Sequence, residues 1–477
     1  MKTYQDLVAV GKAEDKRMEF VKAAIADHKG SDLYQQAVIA EEYNAHQNRT
    51  INQYKKLLYT MSGQAVPDNY SANWKMACRD FHYFIVQEVQ QLLGNGATWD
   101  KKTAKKARET FGRDFDNRLQ EIGKDALIGG VAFGFYNLNR LLVFKVTEFV
   151  PLCDEENGAL MAGIRFWQVD SDKPLRATLY EVDGYTEYIW INNEAKVLKP
   201  KRAYKLKLRE TPADGTEIYD GENYPKFPIV PLWGNPERQS ELIGLREQID
   251  CYDLIKSGFA NDLDDASQIY WVIQNAGGMD DVDLAKFLER MKTVKAANLD
   301  DTGARAEAHT LEVPYNAREV LLARIKRDLY KDAMALDPAD IAAGSVTATQ
   351  IKAAFKPLNA KCDEFEYCIR DFLDGITAIA GIDDYEVTFT RDNSLINTLE
   401  EVQVIATAAN FLDREYIIRK LLTTLGDGDL AEEMIEKIEE EEQARMDMAM
   451  QQMALQAGGA QNGITSQTNG AGATQAQ

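Results

Sequence analysis

Two long stretches of helical periodicity, separated by shorter mixed runs, constrain this chain more than anything else in it. Residues 240–265 place Leu242, Leu245, Ile249, Tyr252, Ile255, Phe259 and Leu263 at spacings of three and four. Such spacing draws one apolar stripe down a helix of roughly 40 Å, at about 1.5 Å per residue. A proline-punctuated lead, F-P-I-V-P-L-W-G-N-P-E (Phe227 to Glu237), comes before it. After it come a short apolar run (Gln268 to Gln274), a charged helical run (Asp281 to Thr293) and a second strand-like run (Arg305 to Val313). A second long helix, about Tyr315 to Met334, then returns. The pattern predicts a helical hairpin whose tip carries a small α/β insertion.

The returning helix has two faces. At about 100° per residue, Leu321, Leu322, Ile325 and Leu329 share one side, and Arg324, Arg327 and Lys331 share the other. A loop of small residues follows, D-P-A-D-I-A-A-G-S-V-T (Asp337 to Thr347). Its composition suits a segment that touches a moving object, but an ordinary connection between helices is the commoner reason for it.

The remaining chain divides by pattern. Residues 1–62 read as two charged, exterior helices broken at Gly30-Ser31, where Gly stops one and Ser caps the next. Asn73 to Leu93 reads as an apolar helix ended by Gly94-Asn95-Gly96, and 112–129 as another, ended by Gly129-Gly130. The basic run Lys101 to Arg108 reads as a solvated helix face. Strands are expected at Val131–Tyr136, Leu141–Val146, Ile164–Val169, Thr178–Val182, Tyr185–Ile191 and Tyr204–Leu208, with a two-residue hairpin turn at Asp183-Gly184. Lys205, Lys207 and Arg209 fall on one face of such a strand, as a nucleic-acid patch or as the outer face of a sheet. Thr347 to Ala380 is a long helical pattern in which Pro357 should kink or split the helix. A strand (Tyr385 to Thr390) and helices near 394–409, 414–425 and 430–455 follow. The last helix is acidic, then Met-rich, and residues 457–477 are too polar to fold.

Charge and motifs narrow the chemistry. With 76 acidic against 55 basic residues the net charge is -21, which opposes holding nucleic acid by broad phosphate neutralisation but lets a duplex slide past sparse basic points. The five cysteines, Cys78, Cys153, Cys251, Cys362 and Cys368, form no C-x-x-C pair and read as reduced, mostly buried thiols of a protein made in a reducing cytosol. No signal-peptide core and no apolar run of membrane-spanning length is found. No G-x-x-x-x-G-K-[ST] loop occurs, and the four histidines follow no zinc pattern. The pairs Asp264-Asp265, Asp280-Asp281, Asp300-Asp301 and Asp383-Asp384 could hold Mg²⁺ for phosphodiester cleavage. They also fall at helix ends and turns, where Asp is favoured for capping alone. The residues therefore suggest no catalytic group, metal or cofactor.

Several segments together resemble the portal proteins (head–tail connectors) of tailed double-stranded DNA bacteriophages. They are I-V-P-L-W-G-N-P-E, L-I-K-S-G-F-A-N-D-L-D-D, V-P-Y-N-A-R-E-V-L-L-A-R-I-K-R-D-L-Y and A-T-Q-I-K-A-A-F-K-P-L. The N-terminal half adds C-R-D-F-H-Y-F-I-V-Q-E-V-Q-Q-L-L-G and K-D-A-L-I-G-G-V-A-F-G-F-Y. No single piece is diagnostic; order and spacing over about Asn69 to Ile382 carry the likeness.

The resemblance implies an α+β, portal-like fold. It would comprise an α/β wing (1–238 and 348–393), two stem helices (239–266 and 315–335), a small α/β clip (267–314), a tunnel loop (336–347), a kinked long helix after it, and a helical crown (394–455) before a disordered tail (456–477). It implies a closed ring of twelve copies at the capsid vertex, through which double-stranded DNA enters and leaves. Its partners would be the terminase large subunit, head–tail adaptor proteins, and capsid and scaffolding proteins, with no membrane. The protein would be made in the host cytoplasm and reside in the virion. Channel-lining candidates are Arg324, Arg327, Lys331, Asp337, Asp340, Ala343, Gly344 and Ser345; clip docking candidates are Asp281, Lys286, Arg290, Lys292 and Lys295. The C-terminal region lacks the basic character that would let a crown contact DNA. Two other readings stand beside this one. The first is an adaptor or scaffold that tethers partners through its acidic, Met-rich C-terminal helices, and the second a metal-dependent nuclease using Asp264 and Asp265.

Overall fold

The computed structural model describes residues 2–59, 63–68, 71–191, 194–210, 218–266, 270–274, 286, 289, 305–309, 315–339, 348–391, 398–409, 411–426 and 428–460. Two compact units divide the chain: Met1–Asp340 with Ala354–Asp392, and Ile341–Ala353 with Asn393–Gln477.

The first unit opens with α1 (Tyr4–Val10), α2 (Glu14–Lys29), α3 (Asp32–Asn44) and α4 (Arg49–Gln53), four helices where periodicity predicts two. The break at Gly30-Ser31 is present: Gly30 ends α2, and the Ser31 hydroxyl accepts from the Tyr34 amide. Hairpin β1–β2 (Leu57–Tyr59, Ala65–Pro67) follows, then α5 (Asp80–Leu93), β3 (Ala97–Trp99), α6 (Ala104–Phe111) and α7 (Phe115–Gly129). α6 buries Ala107 and Phe111 and leaves its lysines in solvent, so the basic run is a solvated face.

Ten strands succeed α7: β4 (Val131–Asn137), β5 (Arg140–Lys145), β6 (Phe149–Cys153), β7 (Leu160–Trp167), β8 (Leu175–Glu181), β9 (Gly184–Ile191), β10 (Glu194–Arg202), β11 (Lys205–Glu210), β12 (Ile218–Glu222) and β13 (Ile229–Trp233). Five form the antiparallel sheet β10-β9-β8-β7-β6, and three the sheet β13-β4-β5. The β8–β9 turn lies one residue earlier than predicted, at Val182-Asp183, because Gly184 already pairs with Glu181.

Period-two burial explains the layering. Val150 and Leu152, Ala162, Ile164 and Phe166, Ala177 and Leu179, Tyr188 and Trp190 turn one sheet face toward Leu7, Phe20, Val21, Ala24 and Ile25. The charged N-terminal helices are thus not merely exterior: α1 and α2 roof this sheet. A bidentate ion pair, Arg17 to Glu181 at 2.8 and 2.7 Å, pins the roof. On the opposite face Phe149 meets Phe133 and Phe144 of the three-stranded sheet, with ring centroids 4.5 and 5.9 Å apart. Lys199 and Arg202 pair with Glu187, Lys201 with Glu181 and Asp183, and Arg209 with Asp220. Ion pairs within the sheets thus account for much of the basic segment.

Helix α8 (Arg246–Ala266) starts later than its periodicity suggests. Residues 241–245 are turns, and Gly244 sits at φ 87°, outside the right-handed helical region. Strands β14 (Tyr270–Gln274) and β15 (Arg305–His309) pair antiparallel, and α9 (Tyr315–Asp332) packs back along α8. Next is α10 (Ala348–Ala380), which continues through Pro357 without splitting there. Its first-unit portion packs on the three-stranded sheet, with Phe372 over Gly134 and Gly375 against Val230. β16 (Val387–Phe389) pairs with β3.

In the second unit lie α11 (Thr398–Ala408), α12 (Arg414–Leu425), capped by Asp413 and stopped by Gly426 at φ 89°, and α13 (Ala431–Ala460). α13 runs past Leu455, the expected end of order, and residues 461–477 lie outside the described ones. Met446, Met448 and Met450 are exposed on α13. All five cysteines are free, but only Cys362 is buried; Cys251 is exposed and the other three are half-buried.

Candidate functional site

The apolar stripe predicted for the first long helix is only half of its buried surface. Leu242, Leu245 and Ile249 are buried at its root, Tyr252, Ile255 and Phe259 are half-buried, and Leu263 is exposed. The fully buried positions farther along are Asp253, Ser257 and Asn261, a polar row one helical turn apart. They bind a strap, residues 72–79, which is not helical and so does not form the first two turns of α5. Cys78 N–H donates to Asp253 Oδ1 at 2.9 Å, Met76 N–H to Ser257 Oγ at 2.9 Å, and Trp74 N–H to Asn261 Oδ1 at 2.7 Å. Alternate amides of an extended chain point the same way, so one row of side chains serves all three. Asn48 Nδ2 donates to the other oxygen of Asp253 at 3.0 Å, tying in the start of α4. Burial pushes the Asp253 carboxyl up to about 6, although the Asn48 and Cys78 donors oppose this.

The roots of α8 and α9 meet α5. Lys361 of α10 is buried between Glu88 of α5 at 2.9 Å and Glu241, just before α8, at 2.7 Å. Burial pulls the Lys361 ammonium down, but the two carboxylates outweigh it and raise its pKa. Glu88, wholly buried, is pushed up to about 7 by burial, against the pull of Lys361. At the exit of α9, the Gln87 amide grips the backbone of Leu336, accepting from its N–H at 2.8 Å and donating to its carbonyl at 3.2 Å. Tyr83 donates to the same carbonyl at 3.3 Å, and the Tyr330 ring packs on Tyr83 and Phe84.

Along the hairpin itself, Gln248 donates to Asp332 at 2.6 Å, and Arg318 pairs with Asp262 near the far end. Arg324, Arg327 and Lys331 are all exposed on α9, with Asp328 lying 3.7 Å from Arg324. Of the residues expected opposite, Leu329 is buried, and Leu322 and Ile325 are half-buried. Leu321 is 44% exposed and does not join them, because it sits toward the edge of that face. Asp337 is half-buried, and its Oδ1 accepts from Ala339 N–H at 2.9 Å, as an acid capping a turn does. Asp340, Ala343, Gly344 and Ser345 lie outside the described residues, as do Asp281, Arg290, Lys292 and Lys295; Lys286 is helical.

Asp264 is exposed near the end of α8, and among the described residues no group of three or more His, Cys, Asp or Glu is arranged to hold a metal ion. No helix among them is long and apolar enough to cross a membrane. Sequence reasoning missed the strap, the Lys361 cluster and the Gln87 grip. Only the strap had a local signal: polar residues at spacings of four along a helix otherwise read for its apolar side.

What the geometry defines is a helical hairpin rooted by polar clamps in an α/β body, with a basic outward face on its returning arm. Among known proteins, residues 39–448 match the family model described as phage portal protein, SPP1 Gp6-like, and the chain belongs to that family. A portal protein of Clostridium phage phiCD119 is 29% identical over 201 residues, covering 40% of this chain and 44% of the relative. A portal protein of Bacillus phage SPP1 is 22% identical over 333 residues, covering 67% of this chain and 64% of the relative. The matches thus span about half to two thirds of the relatives' lengths.

Proposed function

We propose that copies of this chain assemble head-to-tail into a closed ring at a capsid vertex, forming the channel through which phage DNA is packaged and released. Membership of the portal family supports the setting. The observation that carries the reading is the paired α8–α9 hairpin with Arg324, Arg327 and Lys331 exposed together on α9. Repeated around a rotational axis, such hairpins wall a bore, and the three positions become stacked basic rings. In an acidic protein, sparse basic rings touch phosphates without gripping them, so a duplex slides.

In this reading α8 and α9 are the stem, the β14–β15 region is the clip, the first unit's α/β layers are the wing, and α11–α13 the crown. The clip would meet the terminase during packaging and head–tail adaptors afterwards, and capsid and scaffolding proteins would surround the wing. The role is structural, and twelve is the expected copy number. Light scattering and negative-stain microscopy of the purified chain test it: top views should show closed rings with an axial hole. Monomers or dimers without a ring would favour a tethering adaptor instead.

A further inference from the structure

Both arms of the hairpin leave the body through residues in the left-handed region. Gly244 (φ 87°) lies just before α8, and Met334 (φ 53°) just after α9. A non-glycine residue there is uncommon and adopts that conformation only where its surroundings impose it. Both line one cavity of about 340 Å³, whose walls also include Ile243, Asp332, Glu88 and Lys361. The space beside the two roots is therefore partly open, although Leu242, Leu245, Leu329 and Ala333 are buried at those roots.

The Ser240 hydroxyl and the Glu241 amide tie the α8 root to the carbonyls of Ile128 and Leu127, at 2.6 and 3.0 Å, and α5 adds a hold on both roots. Successive residues of that helix hold the two roots separately: Gln87 through the Leu336 backbone, and Glu88 through Lys361 to Glu241. Glu241 is itself steadied by Asn235 Nδ2 at 2.8 Å. Lys361 is kept in place because its helix is fastened to α5 on either side, by Gln91 to Asn359 at 3.1 Å and by the Cys362 thiol to the Glu88 carbonyl at 3.8 Å. Farther out on α9, Lys326 lies 3.9 Å from Asp80 of α5.

We propose that Gln87 and Lys361 are positioning residues that set the tilt of the α8–α9 hairpin on the body, each acting chiefly on one root, with the Gln248–Asp332 bond joining the two. The inference rests on the channel reading above and deepens it, since hairpin tilt sets the bore.

The test uses the full chain carrying Gln87→Met or Lys361→Met, with hydrogen exchange followed in segments 242–250 and 330–337, ring formation by microscopy, and DNA packaging in a reconstituted system. Gln87→Met should speed exchange in 330–337 by about tenfold and in 242–250 much less, as expected for loss of the Gln87 bonds. Lys361→Met should do the reverse. Gln87→Glu, which keeps the acceptor for the Leu336 amide, should fall between. Should Lys361→Met fail to fold because Glu88 is left unpaired, Glu88→Gln/Lys361→Met removes both charges and takes its place. Rings should persist while packaging falls several-fold. Equal loosening of both segments by either variant, no change in either segment, or intact packaging despite loosened roots would overturn the proposal. Failure of the channel reading shows separately, as absence of rings or of DNA passage with the unaltered chain.

Discussion

Asp253 accepts the backbone amide of Cys78 at 2.9 Å while its second oxygen accepts from Asn48 at 3.0 Å, so one buried carboxylate joins three separate parts of the chain. Its neighbours along α8, Ser257 and Asn261, continue the row.

Replacing Asp253 by alanine leaves two buried donors unanswered, and should lower stability by about 2–3 kcal/mol. Asn261→Ala should cost about 1 kcal/mol, because Trp74, whose amide it receives, is exposed. Denaturant midpoints measure both, and limited proteolysis should cut within 72–79 faster in each. Equal, negligible losses would mean the strap is not held by this row.

The Glu88 carboxyl, raised to about 7 from 4.5, binds its proton more tightly in the folded chain than in the unfolded one. Its contribution to stability is complete below about pH 4.5 and is lost as the pH rises through about 7. Asp125 and Asp253, both raised to about 6, act in the same direction. The difference in melting temperature between wild type and Glu88→Gln should therefore vary with pH between those limits and level off above them. A difference independent of pH would remove Glu88 from the account.

Two glycine substitutions should have opposite signs. A Cβ on Gly163 would lie 2.0 Å from the Phe149 ring at the junction of the two sheets, so Gly163→Ala should destabilise by about 2 kcal/mol or more. Gly258, inside α8, has nothing within 4 Å of where its Cβ would stand. Gly258→Ala should stabilise by about 0.5–1 kcal/mol through helix propensity alone. Thermal unfolding of the two variants checks both.

Arg324, Arg327 and Lys331 are exposed, so their triple alanine variant should change stability by no more than about 0.5 kcal/mol and leave rings intact. Packaging or retention of DNA should fall severalfold, and further on charge reversal. Unchanged packaging would take these residues out of the bore.

The paired long helices, most central strands and the stop at Gly30-Ser31 were legible because each carries a strong local period or a capping residue. Strands β6 and β13 were not, since each contains a proline, Pro151 and Pro231. Both are edge strands, where a missing amide is tolerated. β10 hid behind its lysines, whose partners on β8, β9 and the turn between them become visible only once the register is known. The basic face of α9 followed from helical geometry alone. The Glu88–Lys361–Glu241 cluster did not, because residues so far apart in sequence leave no local pattern. The late start of α8 shows the limit of periodicity: Leu242 and Leu245 are buried as the stripe requires, but on turns.

The strap and the helix beneath it keep different time. Two residues of extended chain advance about 6.6 Å, whereas four residues of helix advance about 6.0 Å, so each added rung slips by roughly half an ångström. Such a vernier matches well over three rungs and poorly beyond. A longer strap would gain nothing, and insertions near residue 72 should be accommodated by spilling outward instead of by lengthening the clasp.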